Sequence, residues 1–320
     1  MQKPYFSVVI PVHNKAPHVA RSIQSVLDQT YSDFDLILIN DASTDNSLEE
    51  IEKFDDPRIT IFHRDQPGPG GYAARNLGTE KAKSEWVAFL DADDEWMDNH
   101  LERVSKLISK YPKARFFSSG WENFKKLESG EQIYEDPYFR KYGNKGDRNL
   151  NFNDYLHEQV QGRSPVCTIV ACIFRETLLQ AGGFPAGKAR RGGDVDTWLR
   201  CIELSNGLVW SDHIGAIYHR DSVNMVTKTN KFEAECERLT VQNLVHKYSG
   251  KSKKLLKQFS NRRTISAWRQ NTFLPDVKNI VLLNKLYYSV NPIKNICIGI
   301  ISLFPDSYFQ TVRKVVKSLK

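Results

Sequence analysis

Apolar and polar positions along this chain alternate between short unbroken apolar runs and stretches of helical spacing. Phe6-Ser7-Val8-Val9-Ile10-Pro11-Val12 is a β-branched run that ends in the polar pair His13-Asn14, the pattern of a strand buried on both faces and its carboxyl-end loop. Val19, Ile23, Val26 and Leu27 recur at helical spacing and predict a helix with one buried face. A second buried strand, Asp35 to Asn40, is closed by Asp41-Ala42-Ser43-Thr44-Asp45, with Thr44 or Asp45 placed to cap a helix reaching about Lys53. Ile59 to Phe62 reads as a third strand. The Gly/Pro loop Gln66 to Tyr72 then leads into a helix over Ala73 to about Lys83; glycines let backbone approach a ligand, and a helix amino end favours anions.

Trp86 to Leu90 is the central run, and it leads directly into Asp91-Ala92-Asp93-Asp94. Unpaired carboxylates are too costly inside a buried strand, so these acids belong at its carboxyl end, where open α/β sheets bind ligands. Asp91 and Asp93, two apart, face the same way if the extended geometry persists. Such a pair suits magnesium or manganese, with a substrate diphosphate supplying further oxygens. The plainer reading is a solvated acidic turn with Asp94 capping a helix. Strand–helix alternation over this first part predicts an α/β fold: a doubly wound, mostly parallel sheet with helices on both faces. Right-handed crossovers bring the carboxyl ends to one edge, and His13, Asp41 and Asp91/Asp93 all fall there.

Farther along, Leu101 to Tyr111 predicts a helix, and Ala114 to Trp121 and Val166 to Phe174 predict strands. Residues 125–163 lack clear periodicity and are expected to form an insertion over the active face. Arg175 to Gln180 is a short helix. The basic, glycine-rich run Ala186 to Gly193 is expected to be mobile, its Lys188 to Arg191 side chains either solvated or part of a lid. It precedes the helix opened by Asp194-Val195-Asp196, whose second acid suits the helix dipole. Val209-Trp210 and Ile214 to Tyr218 read as a final strand pair. The remainder is helical in pattern: Phe232 to Tyr248, Lys253 to about Thr272, Asn279 to Tyr288, the apolar segment Ile293 to Phe304, and basic amphipathic Val312 to Lys320. The apolar segment is well short of the ~20 residues a bilayer span needs; it reads most simply as a core helix, the alternative being a helix lying in a membrane interface.

Charge sharpens this division. Residues 1–230 carry 28 Lys/Arg against 33 Asp/Glu, whereas residues 231–320 carry 17 against 5. The boundary predicts an α/β domain over 1–230 and a basic helical C-terminal region over 231–320. No nucleic-acid module signature occurs in that region, so an anionic membrane surface is the expected partner of its charge. The five cysteines are scattered, with no C-x-x-C pair, which fits a reducing compartment and argues against a disulfide scaffold or zinc site. With no basic-then-apolar leader before the first strand, a cytoplasmic chain is expected, peripheral at the inner face of the cell membrane.

Six segments in order, Ser7 to Asn14, Asp41 to Asp45, Ala74 to Gly78, Phe89 to Asp94, Gly182-Gly183-Phe184 and Gly193 to Arg200, make the chain resemble a family 2 glycosyltransferase of the GT-A fold. The resemblance covers about residues 5–225. It implies inverting transfer of a hexosyl or N-acetylhexosaminyl group from a nucleotide sugar, a uridine diphosphate sugar first, to a glycan or lipid-linked glycan in cell-surface polysaccharide synthesis. It implies that Asp41 receives a hydrogen bond from the base beside the Pro11, Val12 and His13 backbone. Arg75 faces the diphosphate side, and Asp91 and Ala92 contact the nucleotide. Asp93, with Asp91, ligates manganese or magnesium, and His219 or Asp221 is placed near that metal. Asp194 matches the family's catalytic base, while Gly193 stands where the family has a glutamate. Two other classes remain: a nucleotide-binding module without catalysis, suggested by Gly193, and a sugar nucleotidyltransferase, for which Pro11 to Asn14 lacks the basic glycine-rich loop.

Overall fold

The computed structural model describes residues 5–271, 282 and 284–303. One sheet is built from β1 (Phe6–Val12), β2 (Phe34–Asp41), β3 (Ile59–Arg64), β4 (Trp86–Phe89), β5 (Glu95–Trp96), β6 (Phe116–Leu127), β7 (Gly130–Glu135), β8 (Arg148–Asn151), β9 (Cys172–Phe174) and β10 (Gly207–His219). Across the sheet the order is β3-β2-β1-β4-β9-β6-β10-β5, with β7 on β6 and β8 on β10. The first four strands are parallel and in near register, Val12 opposite Asn40 and Phe6 opposite Trp86, so their carboxyl ends share one edge. β9 enters antiparallel between β4 and β6, making the sheet mixed, with the β3-β2-β1-β4 side parallel throughout.

The helices are α1 (Val19–Leu27), α2 (Ser47–Glu52), α3 (Tyr72–Lys81), α4 (His100–Lys110), α5 (Phe139–Tyr142), α6 (Phe152–Gln161), α7 (Arg175–Gln180), α8 (Gly193–Leu204), α9 (Val226–Thr229), α10 (Glu235–Leu244), α11 (Gly250–Asn271) and α12 (Pro292–Ile301). Alternation along the strands divides the core into two layers. Val8, Ile10, Leu36, Leu38 and Ala88 meet α1 and α4 on one face. Val9, Ile37, Ile39, Val87 and Phe89 meet α3 and α8 on the other, in a cluster continuous with Val241, Leu256 and Phe259 of α10 and α11. Helix α3 lies so near β1 that a Cβ on Gly78 would stand 2.3 Å from Val9 Cγ1.

Several expectations are corrected. Residues 125–163 are regular: β6 continues to Leu127 and returns as β7, and an Asn151–Asp154 capping box opens α6. Asp136 closes the turn after β7 by accepting backbone N–H bonds from Trp121, Tyr138 and Phe139, and none of residues 125–163 lines the cavity described below. These elements are too short for a periodic signal. The run Val166 to Phe174 is a 3₁₀ turn over Thr168–Val170 followed by three strand residues, since a fully buried apolar run carries no period. The expected pair after Gly207 is one strand with register shifts between Ser211 and Ile214 and again before Ala216. Asp94 caps no helix; it is fully buried, with its carboxyl accepting the His219 N–H at 2.7 Å.

In the C-terminal region α10, α11 and α12 match three expected helices. The expectation for Asn279 to Tyr288 lies partly outside the described residues, which are in turns from 284 to 290, and that for Val312 to Lys320 lies wholly outside them. Among the described residues no helix is long and apolar enough to cross a membrane.

Candidate active site

A cavity of about 670 Å³ opens at the shared carboxyl edge, ample for a nucleotide-sized ligand. Its walls come from Pro11 to Lys15 after β1, Asp41 at the end of β2, the glycine loop before α3, Asp91 to Asp93 after β4, and Asp194 in the first turn of α8. Tyr72, Arg75, Cys167 and Thr168 complete the floor. The structure therefore brings together Pro11, Val12, His13, Asp41, Arg75, Asp91, Ala92, Asp93 and Asp194. It does not bring His219, whose ring is buried against Phe124 with Nε2 2.9 Å from Glu95 Oε1. Asp221 Oδ1 lies 4.0 Å from the other ring nitrogen.

Asp93, Asp91 and Asp41 are each paired with a cation. Asp93 Oδ2 accepts from Lys15 Nζ at 2.6 Å, and the same ammonium donates to Val223 O at 2.7 Å, tying the first loop to the one after β10. Arg75, almost fully buried, donates to Asp91 Oδ1 at 2.5 Å and to Gly70 O at 2.8 Å. Burial works against its charge, but the Asp91 carboxylate outweighs this and holds the guanidinium protonated. Its guanidinium is thus bonded to Asp91, rather than held free for a ligand. Asp41 is bonded to Arg64 through Oδ1 and to the Gly68 N–H, at 3.1 Å, through Oδ2, while its carbonyl lies 2.8 Å from His13 Nδ1. The Cys167 thiol is pushed well above its ordinary range by burial, and the carboxylates of Asp91, Asp94 and Asp194 push the same way. It stays a neutral thiol and no nucleophile.

Asp194 sits just after a left-handed Gly192, φ +87°, where a Cβ would meet the Phe232 ring at 2.3 Å. Its Oδ2 lies 3.4 Å from Thr168 Oγ1. The turn is fixed on two sides. Gly193 N–H donates to Tyr72 Oη at 2.8 Å, and Arg263 Nη2 of α11 donates to Gly192 O at 3.3 Å. Arg263 is itself held by buried Glu237 of α10, at 2.6 and 2.9 Å, and stands over the Phe232 ring. Asp196 turns away and is buried, paired with Arg200 one turn on in α8 and joined to α10 by the Thr240 hydroxyl. The basic run before α8 is tethered: Arg190 N–H donates to Glu233, and Arg191, at the cavity, donates to Gln270 of α11.

The model of the family described as Glycosyl transferase family 2 matches residues 7–175. The chain belongs to that family. A putative teichuronic acid biosynthesis glycosyltransferase of Bacillus subtilis, TuaG, is 36% identical over 72% of this family 2 chain and 84% of its own length. An uncharacterized glycosyltransferase of Rickettsia bellii is 43% identical over 106 residues, 32% of this chain but 15% of that longer protein. The Escherichia coli UDP-Glc:alpha-D-GlcNAc-diphosphoundecaprenol beta-1,3-glucosyltransferase WfgD is 35% identical over 32% of this chain and 41% of its own. In fold, the chain matches S. aureus TarS 1-349, solved in complex with UDP-GlcNAc, with a TM-score of 0.69 at 17% identity over 94% of this chain and 82% of that one.

The family match ends before Asp194, and three residues at or behind the site were not singled out from the sequence of this family 2 chain. Arg64 had a signal: in parallel register with β2 it stands opposite Asp41. Lys15 had a weaker one, a cation in a strand-end loop facing clustered acids. Arg263 had none, since its partners are set by helix packing. Among the described residues no cluster of three or more His, Cys, Asp or Glu side chains is placed to hold a metal ion; Asp91 and Asp93 present two carboxylates at the cavity, paired with Arg75 and Lys15.

Proposed function

We propose that this chain is an inverting glycosyltransferase moving a hexosyl or N-acetylhexosaminyl group from a uridine diphosphate sugar to a hydroxyl of a lipid-linked, cell-surface glycan, at the cytoplasmic face of the membrane. The observation that carries this reading is that Asp93 and Asp194, distant in sequence, open onto one cavity. The names of the relatives support the acceptor class, and the ligand of the TarS complex supports the donor class.

In this reading Asp41 and the Pro11 to His13 backbone hold the base, with Arg64 setting the direction of the Asp41 carboxylate. Arg75 holds Asp91 toward the ribose beside Ala92. Asp91 and Asp93 would hold magnesium or manganese, which when bound supplies Lewis-acid stabilisation of the departing diphosphate. Lys15 adds positive charge of the chain's own at that end of the cavity. Asp194 takes the proton of the acceptor hydroxyl as its oxygen bonds to the anomeric carbon and the bond to the diphosphate breaks. Attack from the side opposite the leaving group inverts the anomeric configuration.

The test is a thermal-shift panel of uridine and guanosine diphosphates and their sugars with and without manganese, followed by donor hydrolysis. A uridine ligand that raises the melting temperature and is slowly hydrolysed in the presence of manganese supports the reading. Binding without hydrolysis makes the chain a nucleotide-binding module, and pyrophosphate release from a nucleoside triphosphate makes it a nucleotidyltransferase.

A further inference from the structure

Helix α12 is amphipathic in the wrong sense for a soluble surface. Ile298 shares a buried cluster with Ile265 and Trp268 of α11 and with Leu282 and Leu286, and Asn295 donates to Val290 O at 2.5 Å, which fixes the inner face. At about 100° per residue, the opposite arc carries Leu303, Ile296, Ile300, Ile293, Cys297 and Ile301. All are exposed, with Ile293 at 79%. Lys294 lies at the rim of this arc. Five of the thirteen large apolar side chains exposed among the described residues fall within 293–303, so this is a patch rather than scattered exposure.

We propose that this face docks the protein on an anionic bilayer, with α12 lying in the interfacial plane. A ten-residue helix is too short to span, while an apolar arc with a basic surround is what an interfacial helix needs. Lys294 is on the helix, and the C-terminal sequence that contains it is basic, residues 231–320 carrying 17 basic against 5 acidic residues. That charge favours an anionic lipid surface over a second copy of a chain whose C-terminal region is equally basic. The position also suits a lipid-linked acceptor, a point that rests on the proposed function. The helix packs on α11 at Ile265 and Trp268, between Arg263 and Gln270, which bond Gly192 and Arg191 at the cavity.

The experiment is co-sedimentation of the full chain with vesicles of phosphatidylcholine alone or with about 30% phosphatidylglycerol, using wild type and the Ile293→Glu/Ile300→Glu variant. Both substituted positions are exposed, and thermal unfolding checks that the fold is unchanged. Wild type is expected to pellet with the anionic vesicles, with partitioning at least about tenfold weaker for the variant, and weaker for wild type in pure phosphatidylcholine or high salt. UDP binding in solution should be the same in both proteins, so lost docking is distinguishable from a wrong donor assignment. Wild type left in the supernatant, or a variant that pellets equally, overturns the proposal. So does a wild-type dimer in sedimentation velocity that the substitutions convert to monomer, since a second copy then covers the face.

Discussion

Replacing Arg263 by methionine separates two roles that its position combines. Glu237 is 0% exposed and has Arg263 as its cation; removing one partner of such a buried pair typically costs about 3–5 kcal/mol. Burial pushes the Glu237 carboxyl up to about 7, against the downward pull of Arg263, and without Arg263 it rises further. A carboxyl with its folded pKa above the unfolded value favours folding at low pH and loses that contribution as pH rises from the unfolded value of about 4.5 through the folded one. Arg263→Met should therefore be destabilised more at pH 8 than at pH 6. Adding Glu237→Met replaces the pair by apolar side chains and should restore most of the stability. Activity should not follow. Neither variant has the bond to Gly192 O or the cation over Phe232, so the turn that aims Asp194 loosens, and misplacement by about 1 Å can cost about 10²-fold. The expected result is a donor-hydrolysis kcat about 10- to 100-fold below wild type in both, with UDP affinity within about twofold. Thermal unfolding at the two pH values and saturation kinetics read these effects. A double variant with full kcat would refute the positioning argument.

Asp93→Asn should lower turnover by about 10²-fold or more and remove its dependence on manganese, with unfolding unchanged within about 1 kcal/mol; calorimetry and kinetics check both. Gly78→Ala, favourable on an exposed helix by about 1 kcal/mol, should instead cost about 1–3 kcal/mol because the new Cβ meets Val9 in the core, seen as a lowered melting temperature. His213, packed among His100, Arg103, Asp147 and Asp212, has its imidazole pushed by burial down to about 4. Its folded pKa lies below the unfolded value, so stability is full above about pH 6.5 and about 3 kcal/mol is lost by about pH 4. Urea unfolding against pH should show that slope in wild type and a flatter one in His213→Gln.

The acids after β4 could be placed from sequence because a buried strand cannot contain them, and the same reasoning put Asp41 at a strand end. Two of the cations that fix the site were hidden for different reasons. Arg64 depends on the register between β2 and β3, which two apolar runs alone leave open. Arg263 reaches back 71 residues to Gly192, a contact set by how α11 crosses α8 and α10. Apolar content alone also could not separate a 3₁₀ turn from a strand at Thr168–Val170, or a bulged strand from two strands around Asp212 and His213. The family resemblance put His219 near a metal, yet the Asp94 carboxyl and Glu95 hold it behind the cavity. The inverted polarity of α12 became readable only once Asn295 and Ile298 defined its inner face.

The central claim is that Asp194 accepts the acceptor's proton in the cavity where Asp93 serves the diphosphate. It is tested most directly by the donor-hydrolysis rate of Asp194→Asn at saturating uridine diphosphate sugar and manganese, where water takes the place of the acceptor. The account predicts a rate at least about 10²-fold below wild type, with UDP affinity unchanged. A variant that hydrolyses the donor at the wild-type rate would contradict it.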